Sequence, residues 1–254
     1  MPRSVVVLVD MKTAGEKLIV ALDVDSTARA LELFEQLREF VAMFKIGMQL
    51  FTAAGPDIVR RIVAGGSRVF LDLKYHDIPN TVAQAGVEAA RLGVSLFNIH
   101  TSGGREMMKS TVSAVHEVAA RENLAHPKIL GVTLLTSVDE DTLSGIGIGD
   151  TPQSVVSRLA ATANECGLDG VVASAQETRM IRQSIPRSDF LIVTPGIRSA
   201  TGAPDDQRRT MTINEAIRAG SDYLVVGRPI LNASDPVAAA RALVVEIENS
   251  MAAS

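Results

Sequence analysis

The stretch Phe70-Leu71-Asp72-Leu73-Lys74-Tyr75-His76-Asp77-Ile78-Pro79-Asn80-Thr81 sets three charges at an Asp-x-Lys-x-x-Asp spacing on the end of an apolar run. Read as a strand over 68–74, it puts Asp72 and Lys74 two residues apart on one face, with Val69, Leu71 and Leu73 on the other. An ion pair facing inward at a strand end points to the floor of a catalytic site. The fold question is therefore which architecture collects strand ends in one place.

Working outward, β-branched runs alternate with amphipathic segments along the whole chain, the pattern of a parallel α/β sheet. Eight strands are predicted, at 18–24, 42–47, 68–74, 95–100, 128–134, 169–173, 189–194 and 222–226. Ala30, Leu33, Phe34 and Leu37 form a helix stripe behind a Ser26 cap, and Val82, Ala85, Ala89 and Leu92 repeat it before Gly93. The last helix opens on Asp235 and Pro236 and carries Val237, Ala240, Val244 and Ile247. Gly167 and Gly220 are placed to end two further helices.

No Pro/Ser/Gly-rich linker divides the chain, so 17–254 reads as a single-domain (β/α)8 TIM barrel, with an open doubly wound sheet as the alternative. Residues 1–16 read as an extension outside the main fold, either disordered or the product of an over-early start codon.

Composition narrows the function. The 254 residues are 46% hydrophobic, with a formal net charge of −4, which disfavours a nucleic-acid or anionic-membrane surface. Val5 to Val9 is too short an apolar run for a signal segment or a membrane span. The lone Cys166 allows no internal disulfide, no paired metal-ligand spacing is present, and a reducing cytoplasm fits best. Cys166 itself reads as a small buried apolar group.

In a barrel of this kind the carboxyl ends of the strands build the site. Here they supply Asp23, Lys45, Asp72 with Lys74, His100, Thr136 with Ser137, Ser174, Thr194-Pro195-Gly196 and Gly227-Arg228. Gly196 and Gly227 allow backbone N–H groups to approach an anion, while Arg198 and Arg228 supply fork-shaped donors. A loop from about 195 to 210, carrying Gln207, has the glycines to close over a ligand. His76 is expected at the surface or behind the site, His100 as a satisfied strand-end histidine, and His116 and His126 without a role.

The motifs Ala21-Leu22-Asp23, Lys45, Asp72 through Thr81, Leu135-Thr136-Ser137, Val193 through Arg198, Asp206-Gln207-Arg208-Arg209 and Val225 through Ile230, in this order, closely resemble the orotidine 5'-monophosphate decarboxylase family. The resemblance runs from about residue 17 to 248. One departure is Thr210-Met211-Thr212-Ile213-Asn214, where a Thr-Pro pair is expected, which leaves the cap of the next helix open.

The resemblance implies a cofactor-free, metal-free decarboxylase making UMP in de novo pyrimidine biosynthesis. It implies Lys74 as proton donor in an alternating network with Lys45, Asp72 and Asp77. It gives the ribose hydroxyls to Asp23 and Lys45, the pyrimidine to Thr136, and the phosphate to Arg198, Gln207, Gly227 and Arg228. It also implies a homodimer in which Asp77, Ile78 and Thr81 reach the neighbouring site.

The Asp-x-Lys-x-x-Asp spacing is shared by metal-assisted 3-keto-L-gulonate-6-phosphate decarboxylases and hexulose-phosphate synthases of the same superfamily, which form the alternative. A catalytically dead nucleotide-binding protein is the third reading. An intact Lys/Asp set disfavours it.

Overall fold

The computed structural model describes residues 11–198 and 211–253, with side chains from 13 to 197 and from 211 onward. Eight strands occur where eight are predicted: β1 Leu18–Ala21, β2 Met43–Gly47, β3 Arg68–Tyr75, β4 Leu96–His100, β5 Lys128–Val132, β6 Gly170–Val172, β7 Leu191–Thr194 and β8 Tyr223–Val226. They form a closed barrel in which each strand pairs parallel with its neighbours in sequence, and β1 meets β8 through Leu18 opposite Leu224. Closure removes both sheet edges, which excludes the open doubly wound alternative.

Period-two alternation sorts the strand side chains into two cores. Ile19, Met43, Phe70, Leu96, Leu130 and Val193 point inward and fill the barrel. Their neighbours Val20, Phe44, Val69, Phe97, Ile129 and Ile192 point outward and pack beneath the helices. The predicted stripe Ala30, Leu33, Phe34 and Leu37 is the buried face of helix Thr27–Leu37, and Ser26 Oγ accepts from Arg29 N–H at its start. Burying one such Leu or Phe stabilises the fold by about 1.5–3 kcal/mol, so a charge at Leu33 would undo this contact. Gly15 has no room for a side chain, since a Cβ there would lie 2.6 Å from the Phe40 carbonyl oxygen.

Two boundaries differ from the sequence reading. Helix Met11–Lys17 lies on the extension side of residue 17, yet Ala14 is fully buried in the outer core. A single small apolar residue among polar ones gives too little periodicity to mark so short a helix. The open cap near 212 is filled locally. Thr212 Oγ1 accepts from Glu215 N–H, while the Glu215 carboxylate accepts from Thr212 N–H, a reciprocal box that starts helix Ile213–Ala219 without proline. Beside the barrel, Ile197–Arg198 pairs with Met211–Thr212 in a separate two-stranded ladder. Among the described residues no helix is long and apolar enough to cross a membrane.

Candidate active site

The carboxyl ends of the strands open into a cavity of about 1090 Å³. That is just above the roughly 300–1,000 Å³ typical of small-molecule sites. Its lining contains Asp23, Lys45, Asp72, Lys74, Thr136, Ser137, Ser174, Pro195, Gly196, Gly227 and Arg228, so most of the predicted strand-end residues converge. His100 and Thr194 are not among the lining residues. Thr194 is buried, with its hydroxyl 2.7 Å from that of Ser221. Gln207 lies outside the described residues, as does the side chain of Arg198.

The floor is a chain of alternating charges. Asp23 Oδ1 accepts from Lys45 Nζ at 2.9 Å, and the same ammonium lies 3.3 Å from Asp72 Oδ2. Asp72 Oδ1 then accepts from Lys74 Nζ at 2.7 Å. Gly47 leaves space for this row, because a Cβ there would come 2.9 Å from Asp23 Oδ1 and 3.0 Å from Lys45 Nζ.

Burial opposes the charge on Lys45, but Asp72 and Asp23 together outweigh it and raise its pKa above the usual lysine value. Burial likewise opposes ionisation of Asp72, and the two lysines with Asn98 overcome this and hold the carboxyl below its usual range. Both groups therefore keep their charge at neutral pH despite being nearly enclosed.

Strand alternation sets Lys74 and Asp72 on one face, but it does not show the backbone on which their contact rests. The ladder between β3 and β4 loses register between Leu71 and Tyr75: Leu71 pairs with Phe97 and Tyr75 with Ile99, so four steps on β3 span two on β4. Within this bulge Lys74 adopts a left-handed backbone, φ 51°, which is uncommon for a residue with a side chain. The Lys74 N–H donates to Asn98 Oδ1 at 2.8 Å, and Asn98 Nδ2 donates to Asp72 Oδ1 at 2.7 Å. Asn98, fully buried, is a part of the site that sequence reasoning missed. Its signal was present: an amide on the inward face of a strand that is apolar up to the His100 at its end.

Asp77, Ile78 and Thr81 do not line the cavity of their own chain. All three are exposed, and Ile78 shows 68% of its surface to solvent. Asp77 Oδ1 accepts from Ile78 N–H at 2.7 Å, just ahead of helix Pro79–Arg91, whose first residue has no N–H to satisfy. His76 and His100 stand near each other beside the bulge, with ring centroids 5.4 Å apart. Desolvation, then His76 and Lys74, lower the His100 pKa against the opposing pull of Asp72.

At the wall formed after β7 and β8, Gly196 has φ 78° and turns the chain, while Gly227 precedes the short helix Arg228–Leu231. Among the described residues this wall offers backbone and the long cation Arg228. The floor offers fixed charges. Gln49, Asn232 and Glu246 also line the cavity, and none was singled out in the sequence. Glu246 lines the cavity from the last helix, Pro236–Ala252, together with Ala239, Ala242 and Leu243, where its polar identity alone gives no signal. Burial raises its pKa.

Together the closed barrel and its charged mouth define a (β/α)8 protein whose site joins an ionic floor to a rim of glycine backbone and Arg228. Comparison with known proteins makes this specific. Residues 16–243 match the model of the orotidine 5'-phosphate decarboxylase / HUMPS family. Proteins named orotidine 5'-phosphate decarboxylase from Syntrophotalea carbinolica and Geobacter metallireducens are 53% and 54% identical over 234 residues, covering 92% of this chain and 96% and 97% of theirs. The crystal structure of orotidine 5'-phosphate decarboxylase from Lactobacillus acidophilus superposes with a TM-score of 0.80 at 36% identity, covering 91% of this chain and 99% of that one. The chain belongs to the orotidine 5'-phosphate decarboxylase / HUMPS family.

Proposed function

We propose that this protein is a carboxy-lyase that converts orotidine 5'-monophosphate to UMP in de novo pyrimidine biosynthesis. The observation that carries the reading is the Asp23–Lys45–Asp72–Lys74 row beneath a nucleotide-sized cavity, in a chain with relatives of that name. In this reaction the bond between C6 and the carboxylate breaks and carbon dioxide departs. The electron pair stays in the ring plane at C6, where the π system cannot delocalise it. The site must therefore stabilise a localised charge, and then supply a proton.

Lys74 does both: its ammonium faces the developing carbanion and transfers a proton to C6. Asp72 fixes that ammonium through a 2.7 Å contact. Because the row is satisfied before substrate arrives, little reorganisation is needed as charge develops. Asp23 and Lys45 hold the ribose hydroxyls, and Thr136 meets the pyrimidine. Gly227, Arg228, Arg198 and Gln207 take the phosphate, whose binding energy organises the reacting end.

Asp77, Ile78 and Thr81 serve the site of a second copy in a homodimer. Their exposure and their absence from their own cavity support that assignment. No cofactor is assigned a step, and the single cysteine fits a reducing, cytoplasmic setting.

The decisive measurement is the loss of orotidine monophosphate absorbance with purified protein in excess EDTA. Turnover is expected. No turnover, or strict metal dependence, would overturn this reading, and turnover of a keto-sugar phosphate on adding magnesium would transfer the chain to the metal-assisted branch of its family.

A further inference from the structure

We infer that Asn98 is a positioning residue for the reaction, using the two ends of one buried carboxamide to lock Asp72 and the backbone of Lys74 in a fixed relation. The inference rests on the decarboxylase reading of the site. It starts from an oddity of β4, Leu96-Phe97-Asn98-Ile99-His100: an amide with no exposed surface on a face that Leu96 otherwise gives to the barrel core. Buried amides are retained where partners meet both ends.

Here both partners belong to the ionic floor. Oδ1 receives the Lys74 N–H at 2.8 Å and Nδ2 reaches Asp72 Oδ1 at 2.7 Å. The orientation of the amide is dictated, since a backbone N–H needs an acceptor and a carboxylate needs a donor.

The location gives these bonds their consequence. Asn98 stands opposite the β3 bulge, where lost register leaves the Lys74 N–H without a ladder partner and where Lys74 holds a φ of 51°. An unpaired N–H in a strained conformation would relax the chain. Asn98 removes that option, and through its other end fixes the carboxylate that Lys74 Nζ touches at 2.7 Å. The ammonium is thereby held from both sides: its backbone by Oδ1, and its head group by a carboxylate that Nδ2 has oriented. Loss of Asn98 should displace the proton donor while leaving Asp23, Lys45 and the phosphate wall to bind nucleotide as before.

The test compares full-length wild type with Asn98→Ala and Asn98→Asp, measuring orotidine monophosphate turnover against pH, UMP affinity and melting temperature. For Asn98→Ala, kcat should fall about 10- to 100-fold, the scale of a small misplacement of a reacting group, with KM and UMP affinity held within about threefold. In Asn98→Asp a carboxylate faces Asp72 at hydrogen-bond distance, and like charges so close favour retention of one proton. The acid limb of its kcat profile should therefore lie at higher pH than in wild type. The other groups around the pair, Lys45 on β2, Lys74 on β3, His100 on β4, Asp23 after β1 and His76 after β3, are common to both enzymes.

A purely structural Asn98 predicts a lower melting temperature with kcat within about threefold of wild type, and that result overturns the role. If the alanine variant does not fold, the aspartate variant decides, and an unmoved acid limb overturns the role. Wild type that fails to turn over the nucleotide brings down the decarboxylase reading, and this inference with it; active wild type with unaffected variants brings down this inference alone.

Discussion

Two clusters of charge in this molecule use the same groups to different ends. On the helical surface Arg91 donates to Glu88 and Glu122, both at 2.6 Å, and Arg121 joins at 3.2 Å. In the barrel mouth Lys45 and Lys74 meet Asp72 and Asp23 at 2.7 to 3.3 Å. Distances alone would rank the surface cluster first. Exposure reverses the order: the Arg91 side chain is 40% exposed, while those of Lys45 and Asp72 are 10% and 12% exposed.

Water and salt screen the first cluster, and its long side chains lose entropy on pairing. In the second, Lys45 and Asp72 each stand between two opposite charges, so removing either takes a counter-ion from both of its neighbours where water replaces it poorly. The lesson is that the floor is fixed by mutual need more than by strong contacts.

That contrast is open to attack at several points. The largest expected effect is on chemistry. Lys74→Ala should abolish measurable turnover while UMP binding by calorimetry persists; residual turnover near wild type would remove Lys74 as proton donor. Next is stability. Asp72→Ala leaves two ammonium groups around an empty space and should cost about 3–5 kcal/mol in urea unfolding, the scale for breaking a buried pair. A loss below about 1 kcal/mol would place the cluster among ordinary surface pairs.

A smaller effect is its pH dependence. The Asp72 carboxyl is held below its ordinary value of 3.8, so its stabilising contribution is present above that pH and is lost as pH falls through the lower folded value. The stability gap between wild type and Asp72→Asn should therefore narrow on acidification below pH 3.8. A gap that widens there would reverse the sign of the linkage. Lys45, raised above 10.5, acts at the other end, contributing below that pH and failing as pH rises through its higher folded value. The smallest effect belongs to the surface: Arg91→Ala should melt with wild type at physiological salt, despite the short contacts it removes.

Much of the fold was legible because its signals are local and repeated. Inward and outward alternation on each strand, and the stripe of helix Thr27–Leu37, follow from periodicity that no distant contact alters. The convergence of Asp23, Lys45, Asp72, Lys74, Thr136 and Arg228 followed from topology, since a closed parallel barrel brings all strand ends to one mouth. Less was legible where one strand answers another. Asn98 carries no motif of its own, and its importance comes from standing opposite a bulge on β3 that has no local marker. Helix Met11–Lys17 escaped for a different reason: seven residues with one buried alanine are too short to show a period.

The sequence by itself determined the architecture and the chemical inventory of the mouth, because hydrophobic period and strand-end residue type are properties of short segments. Only the tertiary structure decided how that inventory is arranged. Register between β3 and β4 is a relation between segments 24 residues apart, Lys74 and Asn98, and it sets a left-handed lysine against a buried amide. Low solvent access then does what spacing cannot: it makes Lys45 and Asp72 hold each other's charge.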